Sequence, residues 1–336
     1  MPEVSLALVG IIALALFFDF TNGAHDSANA IATVVSTQVL SPKVAVAMAA
    51  LLNLAGAFLG THVAETVGSG IVSPETVQGC QPLVAAALLG AIAWNLLTWY
   101  FGLPSSSSHA LIGGLMGAAT AYKGFTTLNY SVIAHKVLLP LILSPLAGFI
   151  GGYLLMLGLS WAFMRTAPRR VNSLFRRLQI LSSAFMATSH GLNDAQKTMG
   201  IVTLALLIFH HIDAFVIPFW VKLACALAIG LGTAAGGWKI VKTMGHRIFK
   251  MEAVHGFAAE TAAALVITSA SIMGAPISTT HTISTAVLGV GASKRLSAVR
   301  WGVAGNMVAA WILTIPATAA AAWLAFEALA LIGLVG

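Results

Sequence analysis

Long apolar runs constrain this chain more than any other feature of its sequence. Only 8% of its 336 residues are charged and 58% are hydrophobic, whereas a soluble domain carries about 25% charged residues. A helix that crosses a bilayer needs about 20 apolar residues. Six runs meet that length: 44–64, 83–103, 137–163, 214–236, 253–273 and 301–323. The sequence therefore predicts an all-α polytopic membrane protein and excludes a soluble enzyme.

Four further segments complete the predicted helices. Residues 105–121 and 277–292 are shorter apolar runs that each follow a proline. Residues 5–37 and 179–208 are longer and are interrupted by polar side chains. Each of these two fits either one broken crossing or a pair of half-helices.

Several classes of protein are excluded by smaller features. Residues 1–5 contain Glu3 and no Lys or Arg, which indicates a retained first helix rather than a secretory signal. Cys80 and Cys225 are too far apart for a paired metal or disulfide motif. The net charge of +7 comes from basic residues in short loops, so no nucleic-acid partner is expected. No nucleotide motif is present, and no cofactor is expected beyond a co-transported H⁺ or Na⁺.

The polar motifs occur twice. GAHDSAN at 23–29 pairs with GLNDAQK at 191–197, and PSSSSH at 104–109 pairs with PISTTH at 276–281. The two pairs are separated by 168 and 172 residues. Because independent polar features recur at nearly one spacing, the sequence predicts an internal repeat.

The repeats are predicted to have inverted topology. Counting each interrupted segment as one crossing gives about five crossings per repeat, with broken or re-entrant helices meeting near the bilayer midplane. Thirteen Lys and Arg residues then lie on one side of the membrane and two on the other, so the basic side is expected to be cytoplasmic. We predict a first transmembrane repeat at 1–164, a basic cytoplasmic linker at 165–177 and a second repeat at 178–336. Both termini then face outward.

The hydroxyl runs after Pro104 and Pro276 indicate the kind of substrate. Each run opens an apolar helical stretch, and a helix N-terminus offers unpaired N–H groups and partial positive charge to an anion. Two such termini from inverted repeats are expected to face each other and to hold a tetrahedral oxyanion: phosphate, sulfate or arsenate. Helix capping alone explains either run taken singly.

Two carboxylates, Asp26 and Asp194, lie inside segments that are otherwise typical of membrane helices. Acidic side chains are costly there and are functional candidates by default. Amide side chains accompany them: Asn22, Asn29, Asn193 and Gln196. Such a cluster fits Na⁺, or a proton carried by a carboxylate, and Gly23 and Gly191 are expected to break the helices and expose carbonyl ligands. The alternative is a hydrogen-bond network that only holds helices together.

Other polar residues in apolar segments extend this set. Lys197 shares a helix face with Asp194, so it either neutralises that carboxylate or faces the anion. Glu260 is a further site for the coupling cation. Asn53 and Asn95 are expected to connect helices. Four histidines lie in the motifs, and both proton coupling and neutral packing fit them: His25, His109, His190 and His281.

The motifs resemble the signatures of the PiT family of inorganic phosphate transporters, G-x-[NH]-D-x-x-N and P-[IV]-S-x-[TS]-H, over residues 15–320. The resemblance implies a cation–phosphate symporter without catalytic residues, a homodimer in the lipid bilayer of a bacterial plasma membrane. It implies phosphate contacts from Ser105, Ser106, Ser107, Ser278, Thr279, Thr280, Asn29 and Lys197. It implies cation coupling by Asp26, Asp194 and Glu260, beside Asn22 and Asn193, with Na⁺ at the two aspartates if sodium is the ion.

The chain departs from the family pattern at three positions. Position 25 is His where many relatives have Asn, Lys197 replaces Asn in the second motif, and Asn53 stands where some animal relatives carry Glu. Bacterial relatives include H⁺-coupled and Na⁺-coupled members, and some carry a metal–phosphate complex, so either cation fits. An intramembrane hydrolase and a passive anion channel are weaker alternatives, because a duplicated symmetric site favours alternating access.

Overall fold

The computed structural model describes residues 6–72, 74–77 and 80–332; Glu3, the start of the first predicted repeat and the end of the second lie outside these ranges. The first half contains α1 (Leu6–Ser36), α2 (Pro42–Gly56), α3 (His62–Glu65), α4 (Pro74–Val77), α5 (Gln81–Phe101), α6 (Ser107–Lys123), α7 (Tyr130–Val132) and α8 (Leu139–Ala162). The second half contains α9 (Pro168–Ile208), α10 (Phe219–Ala235), α11 (Trp238–Lys242), α12 (Ala253–Ile272), α13 (Thr279–Lys294) and α14 (Trp301–Leu331).

The element order of the first half recurs in the second. Helices α1, α2, α5, α6 and α8 correspond to α9, α10, α12, α13 and α14. A short 3₁₀ turn follows α6 at Phe125–Thr127, and another follows α13 at Leu296–Ala298. The described chain is thus helical as predicted, and its secondary structure repeats as the motifs do.

Membrane spans are plentiful. Within the described residues, five helices are long and apolar enough to cross a bilayer, and a sixth is added if α10 and Trp238–Arg247, bent by 60°, are taken as one span. Exposed leucine and isoleucine side chains cover the outer face of α8: Leu143, Leu146, Ile150, Leu154 and Leu157. The chain is therefore a multi-pass membrane protein.

The predicted single span at 44–64 is wrong in its length. Helix α2 ends at Gly56, and the chain turns before α3 begins at His62. The Gln196 side chain, which belongs to α9, accepts a hydrogen bond from the Val63 amide at 2.8 Å. A side chain from another helix thus satisfies the backbone where this span is interrupted.

The predicted helix breaks at Gly23 and Gly191 are also wrong. Helices α1 and α9 are continuous through both motifs. A Cβ atom at Gly23 would lie 2.4 Å from the Ile229 carbonyl oxygen, and one at Gly191 would lie 2.1 Å from the Asn53 carbonyl oxygen. These glycines permit close helix packing, which is a common use of small residues in membranes.

The two halves are interlocked. Helix α6 packs on α14 and α13 packs on α8, so each half supplies the partner of the other half's short helix. A Cβ atom at Gly117 of α6 would lie 2.1 Å from the Ala319 carbonyl oxygen, and one at Gly152 of α8 would lie 2.4 Å from the Ala286 carbonyl oxygen. The short helices are therefore held in place by backbone-close contacts.

Helices α1 and α9 run antiparallel through the centre of the molecule. The Arg176 guanidinium, near the start of α9, donates to the Gln38 carbonyl just after α1 at 2.8 Å. Further along, the Ser183 hydroxyl donates to the Ala30 carbonyl at 3.1 Å. Two separate clusters of buried apolar side chains form the core. The two halves thus bring their GAHDSAN and GLNDAQK motifs to the α1–α9 contact.

Candidate functional site

Helices α6 and α13 both begin inside the protein, at the two hydroxyl runs. The Ser106 side-chain oxygen accepts a hydrogen bond from the His109 amide at 3.1 Å, and Ser278 accepts one from the His281 amide at 3.1 Å. One hydroxyl in each run is therefore a helix cap, as one of the two sequence interpretations expects. Amide groups that precede His109 and His281 in each first turn have no carbonyl partner within their helix.

The two helix starts meet. The rings of His109 and His281 have centroids 4.9 Å apart, and the Ser108 hydroxyl donates to the Ile277 carbonyl at 3.1 Å. Within the described part of the chain, the Ser107 hydroxyl has no hydrogen-bond partner. All six predicted hydroxyl ligands are buried here: Ser105, Ser106, Ser107, Ser278, Thr279 and Thr280. The structure thus brings two partly positive helix ends to one enclosed polar site.

Asn29 and Asp26 of α1 reach the start of α13. The Asn29 side-chain amide donates to the Thr279 hydroxyl at 3.1 Å and to the Thr280 hydroxyl at 2.9 Å. The Thr280 hydroxyl donates to Asp26 at 3.2 Å, and the Thr279 hydroxyl donates to Asp194 at 3.0 Å. A hydroxyl has a single proton to donate. Both threonine protons are therefore directed to carboxylates.

Lys197 of α9 occupies the equivalent place in the other half. Its ammonium donates to Asp194 and to the Ser108 hydroxyl. Lys197 is the repeat counterpart of Asn29, and Ser108 is the counterpart of Thr280. Of the two roles open from the sequence, neutralising Asp194 and facing the anion, Lys197 thus fills the first and lies within reach of the second.

Histidines flank both aspartates. His25 Nδ1 lies 2.6 Å from Asp26, and His190 Nε2 lies 3.0 Å from Asp194. One ligand atom from each of Asp26, His190 and Asp194 lies within 4.8 Å of the others. Carboxylate oxygen and imidazole nitrogen are metal ligands. The two predicted cation residues are thus close enough to share one ion.

The amide residues of the motifs lie at the edges of this cluster. Asn193 donates to the Ser271 hydroxyl at 2.8 Å, on α12. Gln196 is used by Val63 in the interrupted span. Asn22 lies beside Asp19 rather than in the Thr279–Thr280 network. The amide oxygens of Asn22, Asn29 and Asn193 have no hydrogen-bond partner within the described residues.

Glu260 lies in a cluster of its own. The Thr33 and Ser182 hydroxyls donate to its carboxylate, and the Gln179 amide donates to it at 3.2 Å. All four side chains are buried. Because Thr33 follows Asn29 by four residues on α1, Glu260 lies about one helical turn from the central site.

Asn53 and Ser105 take part in contacts between helices around the site. Asn53, predicted to connect helices, does so: its amide donates to Thr233 at 2.8 Å and its oxygen lies 3.1 Å from His190 Nδ1. The Ser105 hydroxyl donates to Thr98 at 2.9 Å, and Thr98 lies 3.1 Å from His25 Nε2. These pairings join helices that are distant in sequence, so no local signal shows them.

Asp19 was also missed, although a signal for it exists. A polar residue recurs on α1 every three or four positions: Asp19, Asn22, Asp26, Asn29 and Thr33. This spacing places all five on one helix face. The motif alone covers only the middle of that stripe.

Comparison with known proteins gives a consistent result. The sequence matches the phosphate transporter family over residues 22–169 and 164–322. A protein of Rhizobium meliloti (strain 1021), named "Probable low-affinity inorganic phosphate transporter", is 52% identical over 93% of both chains. One of Bacillus subtilis (strain 168) with the same name is 47% identical over 95% of this chain and 96% of its own. A solved structure described as "The sodium-dependent phosphate transporter" covers 98% of this chain and 100% of its own, with a TM-score of 0.88 and 26% identity.

Proposed function

The chain belongs to the phosphate transporter family, and we propose that it imports inorganic phosphate across the plasma membrane by symport with a cation. Its relatives are named as transporters, so it is not an enzyme. It resides in the bacterial plasma membrane as a multi-pass protein. The proposal concerns which residues bind phosphate and how its movement is coupled to an ion.

One observation carries the coupling. Thr279 and Thr280, at the start of α13, each donate their only hydroxyl proton to a carboxylate, Asp194 or Asp26. While they do so, neither hydroxyl can donate to phosphate. A cation that neutralises the carboxylates weakens these two hydrogen bonds and frees the hydroxyls for the anion. Substrate and cation thus share the same pair of side chains.

Charge leads to the same conclusion. Phosphate at the two helix starts would lie beside Asp26 and Asp194, and like charges in a buried site repel strongly. Lys197 compensates Asp194. The helix dipoles and the Lys197 ammonium favour the binding of an anion, whereas the negative charge of Asp26 opposes it. A co-bound H⁺ or Na⁺ removes this opposition, which favours symport over a passive anion channel.

We propose the following roles for the site residues and the following architecture. Phosphate is bound by Ser105, Ser106, Ser107, Ser278, Thr279, Thr280, Asn29 and Lys197, and a cation is bound at Asp26 and Asp194. Glu260, on α12, is a further cation site and lies about one turn of α1 away from Asn29. The repeats 1–164 and 178–336 have inverted topology around this centre, and the protein is a homodimer. A metal–phosphate complex is an acceptable form of the substrate because it carries its own cation.

Uptake of radiolabelled phosphate into proteoliposomes tests the proposal. A proton gradient and a sodium gradient are imposed separately, and we expect accumulation above the external concentration with one of them. Sulfate in excess should leave the initial rate nearly unchanged, whereas arsenate should compete. Uptake that only equilibrates under both gradients would indicate a channel instead of a symporter.

A variant links the uptake to the site. Thr279→Val together with Thr280→Val removes the shared hydroxyls at nearly constant volume and should abolish accumulation. Thr120→Val is the matched control, because the Thr120 hydroxyl bonds only to carbonyl groups of its own helix. Normal accumulation by the double variant would contradict the proposed coupling.

A further inference from the structure

Four carboxylates are fully buried in the membrane region of the described chain, and one of them differs from the rest. Asp26 pairs with His25, Asp194 pairs with Lys197, and Glu260 accepts three hydrogen bonds. Asp19 of α1 is 0% exposed, and neither of its oxygens has a hydrogen-bond partner among the described residues. An ionised carboxylate without a donor or a cation is very costly in such an environment.

The surroundings of Asp19 are polar but offer no cation in contact. The side chains of Asn22 on α1 and Thr198 on α9 lie near its carboxylate, and its charge acts on Cys225 of α10. Asp194 and Lys197 act on it electrostatically from α9, but they pair with each other. The side-chain oxygens of Asn22 and Thr198 also lack partners within the described residues. Unpaired oxygens from two helices thus converge at one buried point.

We propose that Asp19 binds a proton, and that this proton is transported with phosphate. The inference rests on the proposed symport and adds a residue that lies outside the repeated motifs. A carboxylic acid has one O–H donor, and the unpaired oxygens of Asn22 and Thr198 are acceptors for it. Protonation therefore removes the buried charge and gives one of these two oxygens a donor.

A proton fits this place better than Na⁺. Sodium sites in transporters use carbonyl groups released where a helix unwinds. Helices α1 and α9 are continuous at this level, so their carbonyls are engaged within the helices. Among the described residues, the contacts around Asp19 supply its own side chain and those of Asn22 and Thr198 as ligands. That set is sufficient for a proton and too small to replace the hydration shell of Na⁺.

The position of Asp19 along α1 indicates when in the transport cycle it takes up its proton. It precedes Asp26 by seven residues on the same face of α1, which corresponds to about 10 Å along the helix. Glu260 contacts Thr33, which follows Asp26 on α1 and therefore lies on the other side of Asp26 from Asp19. With the start of α1 outside the cell, Asp19 lies on the external side of the phosphate site. It is thus placed to take up a proton before the central aspartates are reached.

Asp19→Asn tests the proposal in proteoliposomes, because the amide has nearly the same size and cannot carry the proton. We expect phosphate accumulation driven by a proton gradient to fall at least tenfold, while exchange of internal for external phosphate at equal pH continues. The number of protons entering per phosphate, followed with a pH-sensitive dye inside the vesicles, should fall in the same variant. Asp213→Asn, at an exposed carboxylate, is the matched control and should behave as the unchanged protein.

The outcomes separate this inference from the proposed function. If the unchanged protein accumulates phosphate but Asp19→Asn does so equally well, Asp19 is not the proton site and symport still holds. If the unchanged protein responds to a sodium gradient alone, the proton assignment is overturned. If Asp19→Asn does not fold, Asp19→Glu retains an acid and should keep proton-driven accumulation; a variant that folds but loses it and its exchange together would indicate a structural role.

Discussion

At the scale of single residues, the two copies of the repeated motif supply different side chains to the centre of this transporter. Asn29 in one half and Lys197 in the other occupy equivalent positions, and each contacts the hydroxyl that opens the other half's short helix. An amide supplies hydrogen bonds alone, whereas an ammonium also supplies charge. The proposed phosphate site therefore has one cationic side and one neutral side, and we expect only the neutral side to need a cation from solution.

Lys197→Gln should weaken phosphate binding strongly. Hydrogen bonds to a charged group contribute about 1.5–3 kcal/mol, which corresponds to roughly a 10- to 100-fold rise in the apparent KM. The measurement is phosphate exchange at a series of concentrations. Lys43→Gln, at an exposed lysine, is the control and should leave KM unchanged. An unaltered KM in Lys197→Gln would mean that its ammonium serves only Asp194.

The residues of the site could be predicted as far as the motifs reach. Asp26, Asp194 and the hydroxyl runs were found because a repeated polar motif in apolar sequence is a strong local signal, and the structure brings them together. Asp19 has no motif, and its spacing to Asp26 becomes informative only once α1 is known to be continuous. The pairing of Asn53 with His190 joins α2 to α9 and has no signature in either segment.

At the scale of helices, the role of the motif glycines differs from the predicted one. The sequence predicts that Gly23 and Gly191 break α1 and α9, but in the structure they let neighbouring backbones approach closely. Sequence patterns cannot separate these uses, because both require a missing side chain. The interruption between α2 and α3 is stabilised by Gln196 of another helix. The apolar run 44–64 taken alone therefore does not predict it.

The packing of α8 on α13 depends on Gly152. We expect Gly152→Val to destabilise the protein by about 1–3 kcal/mol, because an added side chain must displace the Ala286 backbone. Gly158→Val on the same helix is the control, since a Cβ atom there meets nothing within 4 Å. Thermal unfolding in detergent should show a lower Tm for Gly152→Val alone. Equal Tm values would show that the α8–α13 contact can adjust without cost.

At the scale of the whole molecule, the two halves are equivalent in element order and opposed in direction at the centre. Arg176 near the start of α9 contacts Gln38 just after α1, and the starts of α6 and α13 face each other. A site built from two opposed helix starts can be reached from either side by a modest shift of one half against the other, which is the logic of alternating access. The row of polar residues on α1 from Asp19 to Thr33 then runs past the proposed phosphate site from one side of the membrane towards the other.

Inverted topology makes a sharp prediction for two equivalent turns. Thr126 lies in the 3₁₀ turn after α6, Ser297 lies in the one after α13, and both are exposed. In a background where the buried Cys80 and Cys225 are replaced by alanine, a membrane-impermeant maleimide applied to intact cells should label Thr126→Cys and spare Ser297→Cys. Ser297→Cys should react only after the membrane is permeabilised, because the basic loops are expected in the cytoplasm. Labelling of both variants from one side would mean that the repeats run parallel, and the central site could not then be built from opposed halves.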